Sequence, residues 1–342
     1  MTERPPPITG PQVWTGAEFD RIDWAFRLDD RDRDEIDRAL AAVKRSGIAL
    51  RDIRREHFVL PTLGPRLKAQ SDAVEVGRGF ALLKGIPIER YDEDDNGIVA
   101  WGLCAHFGSG LPQSRQGDYI NPIIDLTDIT STTHKRLQHI VARGELRVSH
   151  HGGRRYWHTD TADIVALLCL RIAKSGGTSR LASSMMVHNI LGAEFPDELA
   201  ALYDGFYYHI LPDDTGGAAS LSQAKVPVFK EYNGAPGCYF IPEPVERAIT
   251  REGIRYSPAA EAARFRIEEI ADRPGMALRM TLEPGDLQII NNRVLLHARE
   301  DYEDWPEIER RRLLLRLWLR VPGRTTAPEM RVHSQFEPTA SY

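Results

Sequence analysis

The chain is poor in cysteine, in long apolar runs and in surplus positive charge. Its three cysteines, Cys104, Cys169 and Cys238, are odd in number and widely spaced, which argues against a disulfide framework or a zinc ribbon. No apolar run approaches the roughly 20 residues that a membrane-spanning helix needs. The net charge is -5, whereas a nucleic-acid partner requires a basic face. We therefore expect buried thiols and a cytoplasmic protein with no nucleic-acid or membrane partner.

The N-terminus also lacks the apolar core of a signal peptide. It begins MTERPPPITGPQ, and we predict an extended lead over residues 1–28 that is disordered or lies along the surface. The rest of the composition is that of an ordinary folded protein, because 42% of the residues are hydrophobic and 27% are charged. No repeat or low-complexity linker divides the chain. We predict one domain over residues 1–342, with its core at about 79–322.

Apolar periodicity predicts a mainly β fold with helical decoration (α+β). Helical spacing is found over 30–46, 92–108, 184–194, 195–206 and 257–275. Runs typical of strands are found at 79–87 and 163–173, and in MALRMTL, DLQIINN, VLLHARE and RLLLRLWLR of the last third. The segment 109–157 is polar, and we expect it to be mostly loop. Most of the helical content is expected near the N-terminus.

The segment RRYWHTD contains the pattern His-x-Asp. On a strand, residues two apart face the same side, so His158 and Asp160 can point together into a barrel interior. Two histidines and one carboxylate form the facial triad that holds a non-haem Fe(II) ion and leaves positions open. His297, at the end of the apolar run in IINNRVLLHARE, is the candidate for the second histidine. His150 and His151 are rival ligands, but they lie in a loop-like segment and are expected to face solvent.

The run ERRRLLLRLWLR, which follows His297, alternates in chemical character. Strand geometry places these residues on one face: Arg312, Leu314, Arg316, Trp318 and Arg320. Four leucines occupy the other face. An arginine fork matches a carboxylate bidentately, so the polar face is suited to a pocket for an organic acid. The alternative is a solvated basic edge, which is how we interpret Arg310 and Arg311.

Four motifs occur in order: WHTD, SGGTS, PGDLQIINNRVLLHARE and RRRLLLRLWLR. Together they resemble the taurine dioxygenase/chlorophenoxyacetate dioxygenase (TauD/TfdA) family of Fe(II)- and 2-oxoglutarate-dependent dioxygenases. The resemblance implies a double-stranded β-helix, or jelly roll. It also implies an oxidoreductase that uses Fe(II), 2-oxoglutarate and O2. Such an enzyme oxidises, most simply hydroxylates, an unactivated C–H bond of a small organic substrate and releases succinate and CO2.

The resemblance assigns roles to individual residues. The implied iron ligands are His158, Asp160 and His297. The distal carboxylate of 2-oxoglutarate is assigned to Arg312, assisted by the hydroxyl of Thr178 or Ser179. Arg316 lies about 13 Å further along the strand, at roughly 3.3 Å per residue. It is implied near the metal-bound end of 2-oxoglutarate and near an anionic group of the substrate. The carboxylate at position 160 argues against halogenation, because halogenases built on this scaffold lack it.

Contacts to the substrate are less closely indicated. Trp157 and Tyr156 flank the ligand strand and are candidates for lining the pocket, with packing as the alternative. Gln113 is a further candidate, together with Tyr119 and Asn121 of the same polar segment. Asn292 is expected either to brace the site or to form a turn.

Three other readings stay open. The same site can carry out desaturation or another tailoring oxidation of a secondary metabolite or an amino acid. Two histidines and a carboxylate can also hold a catalytic zinc, but no HExxH helix is present and a zinc hydrolase gives no reason for Arg312. A non-catalytic jelly-roll protein that binds a metal or ligand is the alternative of another class. The sequence is compatible with a homo-oligomer but does not indicate one.

Overall fold

The structure, a computed structural model, describes residues 5–114, 117–142, 146, 148–211, 220–232 and 234–324. Its α-helices are α1 (Asp30–Ser46), α2 (Leu63–Glu75), α3 (Glu93–Cys104), α4 (Lys135–Ala142), α5 (Ser184–Glu194), α6 (Pro196–Asp204), α7 (Pro242–Glu252) and α8 (Pro258–Ala271). Short 3-10 helices lie at Gly16–Phe19, Leu50–Asp52, Ile88–Arg90, Val148–His150 and Ile308–Arg310.

The described strands form two main sheets and three short ribbons. The larger sheet contains β1 (Phe26–Arg27), β2 (Phe80–Lys84), β3 (Ser109–Leu111), β4 (Ile120–Ile123), β6 (Ile164–Arg171), β14 (Leu287–Asn291) and β17 (Leu313–Arg320). The smaller sheet contains β5 (Arg155–His158), β8 (Ser179–Ser183), β13 (Leu278–Met280) and β15 (Leu295–Arg299). Short ribbons pair β7 (Ser175–Gly176) with β16 (Tyr302–Glu303), β9 (His209–Ile210) with β10 (Ser220–Leu221), and β11 (Phe229–Tyr232) with β12 (Ala235–Cys238).

The two main sheets together form the jelly roll that the sequence predicts. The larger sheet runs in the order β1-β2-β14-β6-β17-β3, with β4 also paired to β17, and the smaller in the order β13-β8-β15-β5. Residues of both sheets line one internal cavity. Chain neighbours β14 and β15 therefore belong to different sheets, so one connection carries the chain from one wall of the cavity to the other. The mainly β fold class with helical decoration is confirmed.

The alternation along β17 explains how the larger sheet separates a core from a cavity. Leu315, Leu317 and Leu319 are buried in a hydrophobic cluster with residues of α1, α2 and α3. Residues of the opposite face, which include Leu314 and Trp318, line the cavity. At about 25 cal/mol for each Å² of apolar surface buried, each leucine contributes roughly 1.5–3 kcal/mol to folding. The predicted division of this strand into a leucine face and an arginine face is confirmed.

Helices cover the sheets on their outer sides. Helix α2 contacts β2 and β14, and α3 contacts β17 of the larger sheet, whereas α5 contacts β8 and β15, and α8 contacts β5 of the smaller sheet. Helix α1 begins and ends as predicted, because Asp29 accepts a hydrogen bond from the backbone of Asp32 and Gly47 ends it with φ 67°. Helix α8 is capped by the Ser257 hydroxyl, which accepts from the amide of Ala260.

One expectation about secondary structure was wrong. Helices are spread along the chain rather than concentrated near the N-terminus, and the sequence patterns did not reveal α2 and α7. The described part of the segment 109–157 is loop-rich, as expected, but it also contains β3, β4, α4 and most of β5. Strands β3 and β4 both pair with β17.

The described part of the predicted N-terminal lead is ordered against the body of the protein. Trp14 is buried, with 2% of its surface exposed, and its indole donates a hydrogen bond to the carbonyl of Arg78. The backbone of Ile8 exchanges two hydrogen bonds with the side chain of Asn189, and β1 adds to the larger sheet beside β2. The alternative of a disordered lead is therefore wrong for residues 5–28, while residues 1–4 lie outside the described part.

All three cysteines are free and buried, and the burial of Cys169 was expected from the apolar run around it. Burial raises the pKa of the Cys169 and Cys238 thiols to about 12, which keeps them protonated and unreactive. Within the described ranges, no helix is both long enough and apolar enough to cross a bilayer.

Candidate metal and cosubstrate site

Three predicted ligands meet in one buried cluster at the edge of the smaller sheet. His158 ends β5, Asp160 follows two residues later, and His297 lies opposite His158 in the antiparallel ladder of β5 and β15. The two imidazole centroids are 4.1 Å apart. Each residue offers a ligand atom within 4.8 Å of the others, and all three side chains are buried. The structure therefore brings together His158 and Asp160, which are close in the sequence, and His297, which lies more than a hundred positions away, as predicted.

Hydrogen bonds orient the cluster. The Nδ1 atom of His158 lies 2.8 Å from the carbonyl oxygen of Tyr156, so a proton on Nδ1 leaves Nε2 free as a ligand. The Trp318 indole donates to Oδ2 of Asp160 at 3.1 Å. The side-chain oxygen of Asn292 accepts the backbone N–H of Asp160 at 3.2 Å. Asn292 thus braces the site, the first of its two predicted roles.

The electrostatics of the cluster suit a metal ion. Burial, together with the nearby Arg155, holds the pKa of His158 well below its ordinary value. Burial also lowers the pKa of His297 to about 4, against the influence of Asp160. Burial alone would raise the pKa of Asp160, but Arg316 and the Trp318 hydrogen bond lower it below its ordinary value. At neutral pH both imidazoles are therefore neutral and the carboxylate is ionised, which are the protonation states that bind a metal.

The donor set fits a divalent transition metal. Two imidazole nitrogens and one carboxylate oxygen are the donors of the facial triad, which leaves other positions for small ligands. The Nδ1 atom of His297 is buried without a hydrogen-bond partner among the described residues, although buried polar atoms normally have one. A metal ion bound at this nitrogen would satisfy it.

The cluster opens into a cavity of about 210 Å³ between the two sheets. Its walls combine the metal-binding cluster with apolar and cationic side chains. The residues that line it beyond the cluster include Ile123, Ser149, Arg155, Leu167, Ser179, Ile241, Leu282, Arg299, Arg312, Leu314, Arg316 and Trp318. Apolar walls with a few convergent polar groups are typical of a small-molecule site.

Arg312 is a buried cation that no acidic residue neutralises. Only 6% of its surface is exposed, and within the described part of the chain it forms no ion pair. Its Nη1 atom is buried without a partner. Burial, with a contribution from Arg299, lowers the pKa of Arg312 to about 10, so it stays charged at neutral pH. A buried, unpaired guanidinium beside a cavity is suited to binding the carboxylate of a ligand.

The glycine turn supplies one hydroxyl to the same region. Ser179 lines the cavity and exchanges hydrogen bonds with the Gln288 side chain, at 3.0 and 3.3 Å. Thr178 is half-buried and is absent from the cavity wall. Gly177 approaches Arg312 closely, because a Cβ built on it would lie 3.4 Å from the guanidinium Nε. Of the two predicted hydroxyls, the geometry favours Ser179.

Arg316 connects the cavity wall to the metal-binding cluster. Its Nη1 atom lies 3.2 and 3.3 Å from the two carboxylate oxygens of Asp160. Gln113 holds it from behind, because the amide oxygen accepts from Nε at 2.8 Å and the amide nitrogen donates to the Arg316 carbonyl at 2.7 Å. Gln113 is absent from the cavity wall. Gln113 therefore positions Arg316, and it has no place in the cavity wall from which to make the predicted contact with substrate.

The two aromatic candidates for the substrate pocket lie elsewhere. Trp157 is buried on the far side of β5, where its indole donates to Asp272 and Arg180 stacks on its ring. Tyr156 is 52% exposed beneath Arg154. Neither lines the cavity, so packing, the alternative reading, is the better account of Trp157. Strand alternation explains Trp157, which is adjacent to His158 and faces the other side. Tyr156 would share the face of His158 in a regular strand, but it lies at the register shift between the His158 and Arg155 pairs of the ladder.

Several smaller expectations can also be compared with the structure. Tyr119 packs edge to face on Trp101, and Asn121 donates to the Ser149 hydroxyl, so neither lines the cavity. His151 is exposed as expected, but His150 is buried.

The expectation for Arg311 was also wrong, because it is buried and pairs with both carboxylate oxygens of Asp128. A side chain after a turn can fold back onto a loop that strand alternation does not describe.

Three residues of the site escaped the sequence patterns. Trp318 was placed on the correct face, but its bond to Asp160 was not foreseen. Arg155 and Arg299 both line the cavity, because they are register partners across a shift in the ladder of β5 and β15. A bulge of this kind leaves no local sequence signal. The pattern His-x-Arg at 297–299 was nevertheless available, since residues two apart on a strand share a face.

Comparison with protein families identifies one matching model. The family described as "Taurine catabolism dioxygenase TauD, TfdA family" matches residues 42–318. FR-33289 synthase from Streptomyces rubellomurinus is 30% identical over 339 residues, which cover 96% of this chain and 94% of that protein. The taurine hydroxylase-like protein SAT17 from Stachybotrys chartarum is 28% identical over 316 residues, which cover 89% of this chain and 77% of that protein.

Solved structures resemble the fold at lower sequence identity. Asparagine oxygenase, solved with Fe(II), hydroxyasparagine and succinate, aligns with a TM-score of 0.64 and 16% identity, over 86% of this chain and 93% of that one. The non-haem iron oxygenase OrfP, solved with Fe and alpha-ketoglutaric acid, aligns with a TM-score of 0.59 and 15% identity, over 86% and 94% of the two chains. At these identities the likeness concerns the fold.

Proposed function

The chain belongs to the TauD, TfdA dioxygenase family, and from this premise we propose that it hydroxylates an unactivated C–H bond of a small organic molecule. The reaction depends on Fe(II), 2-oxoglutarate and O2 and releases succinate and CO2. The observation that carries the proposal is the convergence of His158, Asp160 and His297 in a cavity whose wall also holds the unpaired cation Arg312.

In this proposal the triad holds the metal and the arginine strand holds the cosubstrate. His158, Asp160 and His297 bind Fe(II), and Arg312 binds the distal carboxylate of 2-oxoglutarate with the Ser179 hydroxyl beside it. Arg316 lies next to the metal-binding carboxylate and faces the end of 2-oxoglutarate that binds the metal. With O2, the ferrous ion and 2-oxoglutarate supply an oxidant strong enough to remove hydrogen from carbon.

The remaining work of the protein is orientation and the exclusion of water. Trp318 and Asn292 hold Asp160 by both its side chain and its backbone, and Gln113 fixes the plane of the Arg316 guanidinium. Leu167, Leu282 and Leu314 line the cavity and lower the local dielectric, which strengthens each charge interaction inside it. These groups keep the triad, the cosubstrate and the target C–H bond in one arrangement.

The substrate is proposed to be a small molecule with an anionic group. Arg312 and Arg316 are joined in the cavity wall by two further arginines, and this positive surplus favours an anion. The structural relatives include enzymes solved with hydroxylated asparagine and arginine, so an amino acid or a related metabolite is one suitable class. The cytoplasmic location expected from the sequence stays a prediction, as does the single-domain organisation.

The rival readings differ from the proposal in what they require. Desaturation uses the same triad and cosubstrate, and product analysis distinguishes it from hydroxylation. A zinc hydrolase or a non-catalytic binding protein has no need for Arg312, which is buried and unpaired among the described residues. Arg312 lies some 13 Å along the strand from Arg316, at roughly 3.3 Å per residue. Dependence on 2-oxoglutarate therefore separates the oxygenase from both.

The test measures succinate and metal binding in parallel. Purified protein supplied with Fe(II), 2-oxoglutarate, O2 and candidate substrates should form succinate, and the Asp160→Ala variant should form none. The same variant should bind Mn(II) at least tenfold more weakly by calorimetry, because one of three protein ligands is gone. Asp23→Ala, at an exposed position, is the matched control and should behave like the wild type. Full succinate formation by Asp160→Ala would contradict the assignment of the triad.

A further inference from the structure

Four arginines line the cavity: Arg155, Arg299, Arg312 and Arg316. Acidic groups account for only two of them. Arg316 pairs with Asp160, and Arg155 forms a close ion pair with Glu243 near the start of α7. Arg312 is assigned to the distal carboxylate of 2-oxoglutarate under the proposed function. Arg299 is left, and nothing in the proposed function uses it.

Arg299 is held in place without being neutralised. Its Nη2 atom donates to the carbonyl oxygens of Gly153 and His151, at 2.5 and 3.4 Å. Within the described part of the chain it forms no ion pair, and its Nε atom is buried without a partner. Asp125, Asp301 and Asp304 lie near it but form no ion pair with it. A fixed, partly buried guanidinium without an ion-pair partner is costly unless a ligand supplies the anion.

The register of the smaller sheet brings Arg155 to the same place. Arg299 is the ladder partner of Arg155, just as His297 is the partner of His158, and the register shift lies between the two pairs. Two guanidinium groups on adjacent strands, one step from the metal-binding pair, make a positively charged patch in the cavity wall.

A count of formal charges shows that the known ligands do not use this patch. A ferrous ion, the Asp160 carboxylate and the two carboxylates of 2-oxoglutarate leave one negative charge, and Arg312 and Arg316 more than balance it. Glu243 balances Arg155. Among the residues that line the cavity, the loaded site therefore keeps a positive surplus, and Arg299 contributes to it because Asp125, Asp301 and Asp304 lie near Arg299 but outside the cavity wall. The surplus calls for a further anion in the reactive complex.

We propose that Arg299 and Arg155 form a second oxyanion subsite, which binds a carboxylate, sulfonate or phosphoryl group of the substrate. This inference rests on the proposed function and adds a recognition element to it. The patch neighbours His297 along β15, so an anion bound there anchors a small substrate beside the metal-binding cluster. Arg155 can exchange its bond to Glu243 for a bond to the substrate anion. The ion pair with Glu243 would then belong to the protein without bound substrate.

The test uses sulfate and acetate as probes for the unidentified substrate. Protein loaded with Mn(II) and saturated with 2-oxoglutarate, without O2, is titrated with each anion at constant ionic strength. The wild type should bind one equivalent of at least one probe. Arg299→Gln and Arg155→Gln should each weaken this binding about tenfold or more, which corresponds to about 1.4 kcal/mol. A preference for sulfate indicates that the subsite binds a tetrahedral anion, and a preference for acetate indicates a planar one. Either result supports the subsite.

Two controls keep the outcome readable. Arg310→Gln removes an exposed arginine and should leave the affinity unchanged, while Arg299→Lys keeps the charge in case Arg299→Gln fails to fold and should retain part of it. Affinity for 2-oxoglutarate is measured on the same samples and should stay within twofold in the Arg299 variants. The inference is overturned if the loaded wild type binds neither anion, if the variants bind as the wild type does, or if Arg299→Gln weakens 2-oxoglutarate itself. Failure of the wild type to bind 2-oxoglutarate would instead refute the proposed function.

Discussion

Replacing Arg312 with glutamine should separate the binding role of this residue from its effect on folding. The variant keeps a polar, though shorter, side chain and removes the positive charge and the planar fork. Because Arg312 is buried without an acidic partner, the ligand-free protein gains no ion pair from it. The complex with 2-oxoglutarate, under the proposed function, depends on it. The two states should therefore respond to the substitution in opposite directions.

The structure indicates the size of both effects. Burial and the nearby Arg299 lower the pKa of Arg312 to about 10, which corresponds to a penalty of about 3 kcal/mol against the charged side chain. Removing the charge should therefore leave the free energy of unfolding of the ligand-free protein unchanged or raise it by up to about 3 kcal/mol, less any lost packing. Loss of a buried, charge-assisted contact should weaken 2-oxoglutarate binding by about 2–5 kcal/mol.

Calorimetry and denaturant unfolding measure the two effects. With Mn(II) present and O2 absent, the affinity for 2-oxoglutarate should fall about 100-fold or more. At a ligand concentration 100 times the wild-type Kd, the wild type gains about 2.7 kcal/mol of stability. A variant that binds 100-fold more weakly gains only about 0.4 kcal/mol at the same concentration. Arg310→Gln should match the wild type in both assays. An Arg312→Gln variant that is less stable without ligand, yet binds 2-oxoglutarate within threefold of the wild type, would refute the reasoning.

Two further predictions concern the turn and a buried histidine. Gly177→Ala should cost about 1 kcal/mol of stability, because Gly177 has φ 77°. It should also weaken 2-oxoglutarate binding severalfold, because a turn that shifts to relieve this φ moves an added Cβ that already contacts the Arg312 guanidinium at 3.4 Å. Burial, with a contribution from Arg55, lowers the pKa of His106 to about 4. The unfolded chain therefore binds more protons between pH 6.5 and 4, and denaturant unfolding should show a loss of about 2 kcal/mol from pH 7 to pH 5.

Each of these predictions has a matched control. Gly234 has φ 79° with no atom within 4 Å of an added Cβ, so Gly234→Ala should reproduce the stability cost without changing the affinity for 2-oxoglutarate. Equal affinities in the two alanine variants would show that the turn does not position Arg312. His106→Gln should flatten the pH dependence of stability, whereas substitution of the exposed His151 should not. An unchanged pH dependence in His106→Gln would contradict the proposed effect of burial.

The parts of the site that could be predicted share one property: they follow from the two-residue period of a single extended segment. His158 and Asp160, which lies two residues beyond the end of β5, share a face because extended backbone repeats every two residues, and the same period divides β17 into its leucine and arginine faces. His297 was found through its apolar run and through the resemblance of the motif around it. Gln113 was predicted to contact substrate, but its contact with Arg316, where two distant backbones meet, was not foreseen.

The elements that were missed also depend on distant contacts. Trp14 is buried because the N-terminal segment packs beside Phe80 and Phe19, and a proline-rich sequence does not reveal that surface. His150 is buried although its local sequence is that of a loop. The composition of a segment indicates the structure that it favours in isolation. Burial against the rest of the protein overrides this preference when the segment can pack on a large enough apolar surface.

The sequence by itself determined the periodicities: where strands and helices form, which face of each is apolar, and which side chains could act as ligands or bind carboxylates. Only the tertiary structure decided that His297 faces His158, that Arg299 faces Arg155 across a register shift, and that Arg312 stays unpaired. The physical reason is that strand register is set by backbone hydrogen bonds between segments far apart in the chain. Each of these bonds is the same whatever side chain it carries, so local residues cannot specify which partners meet.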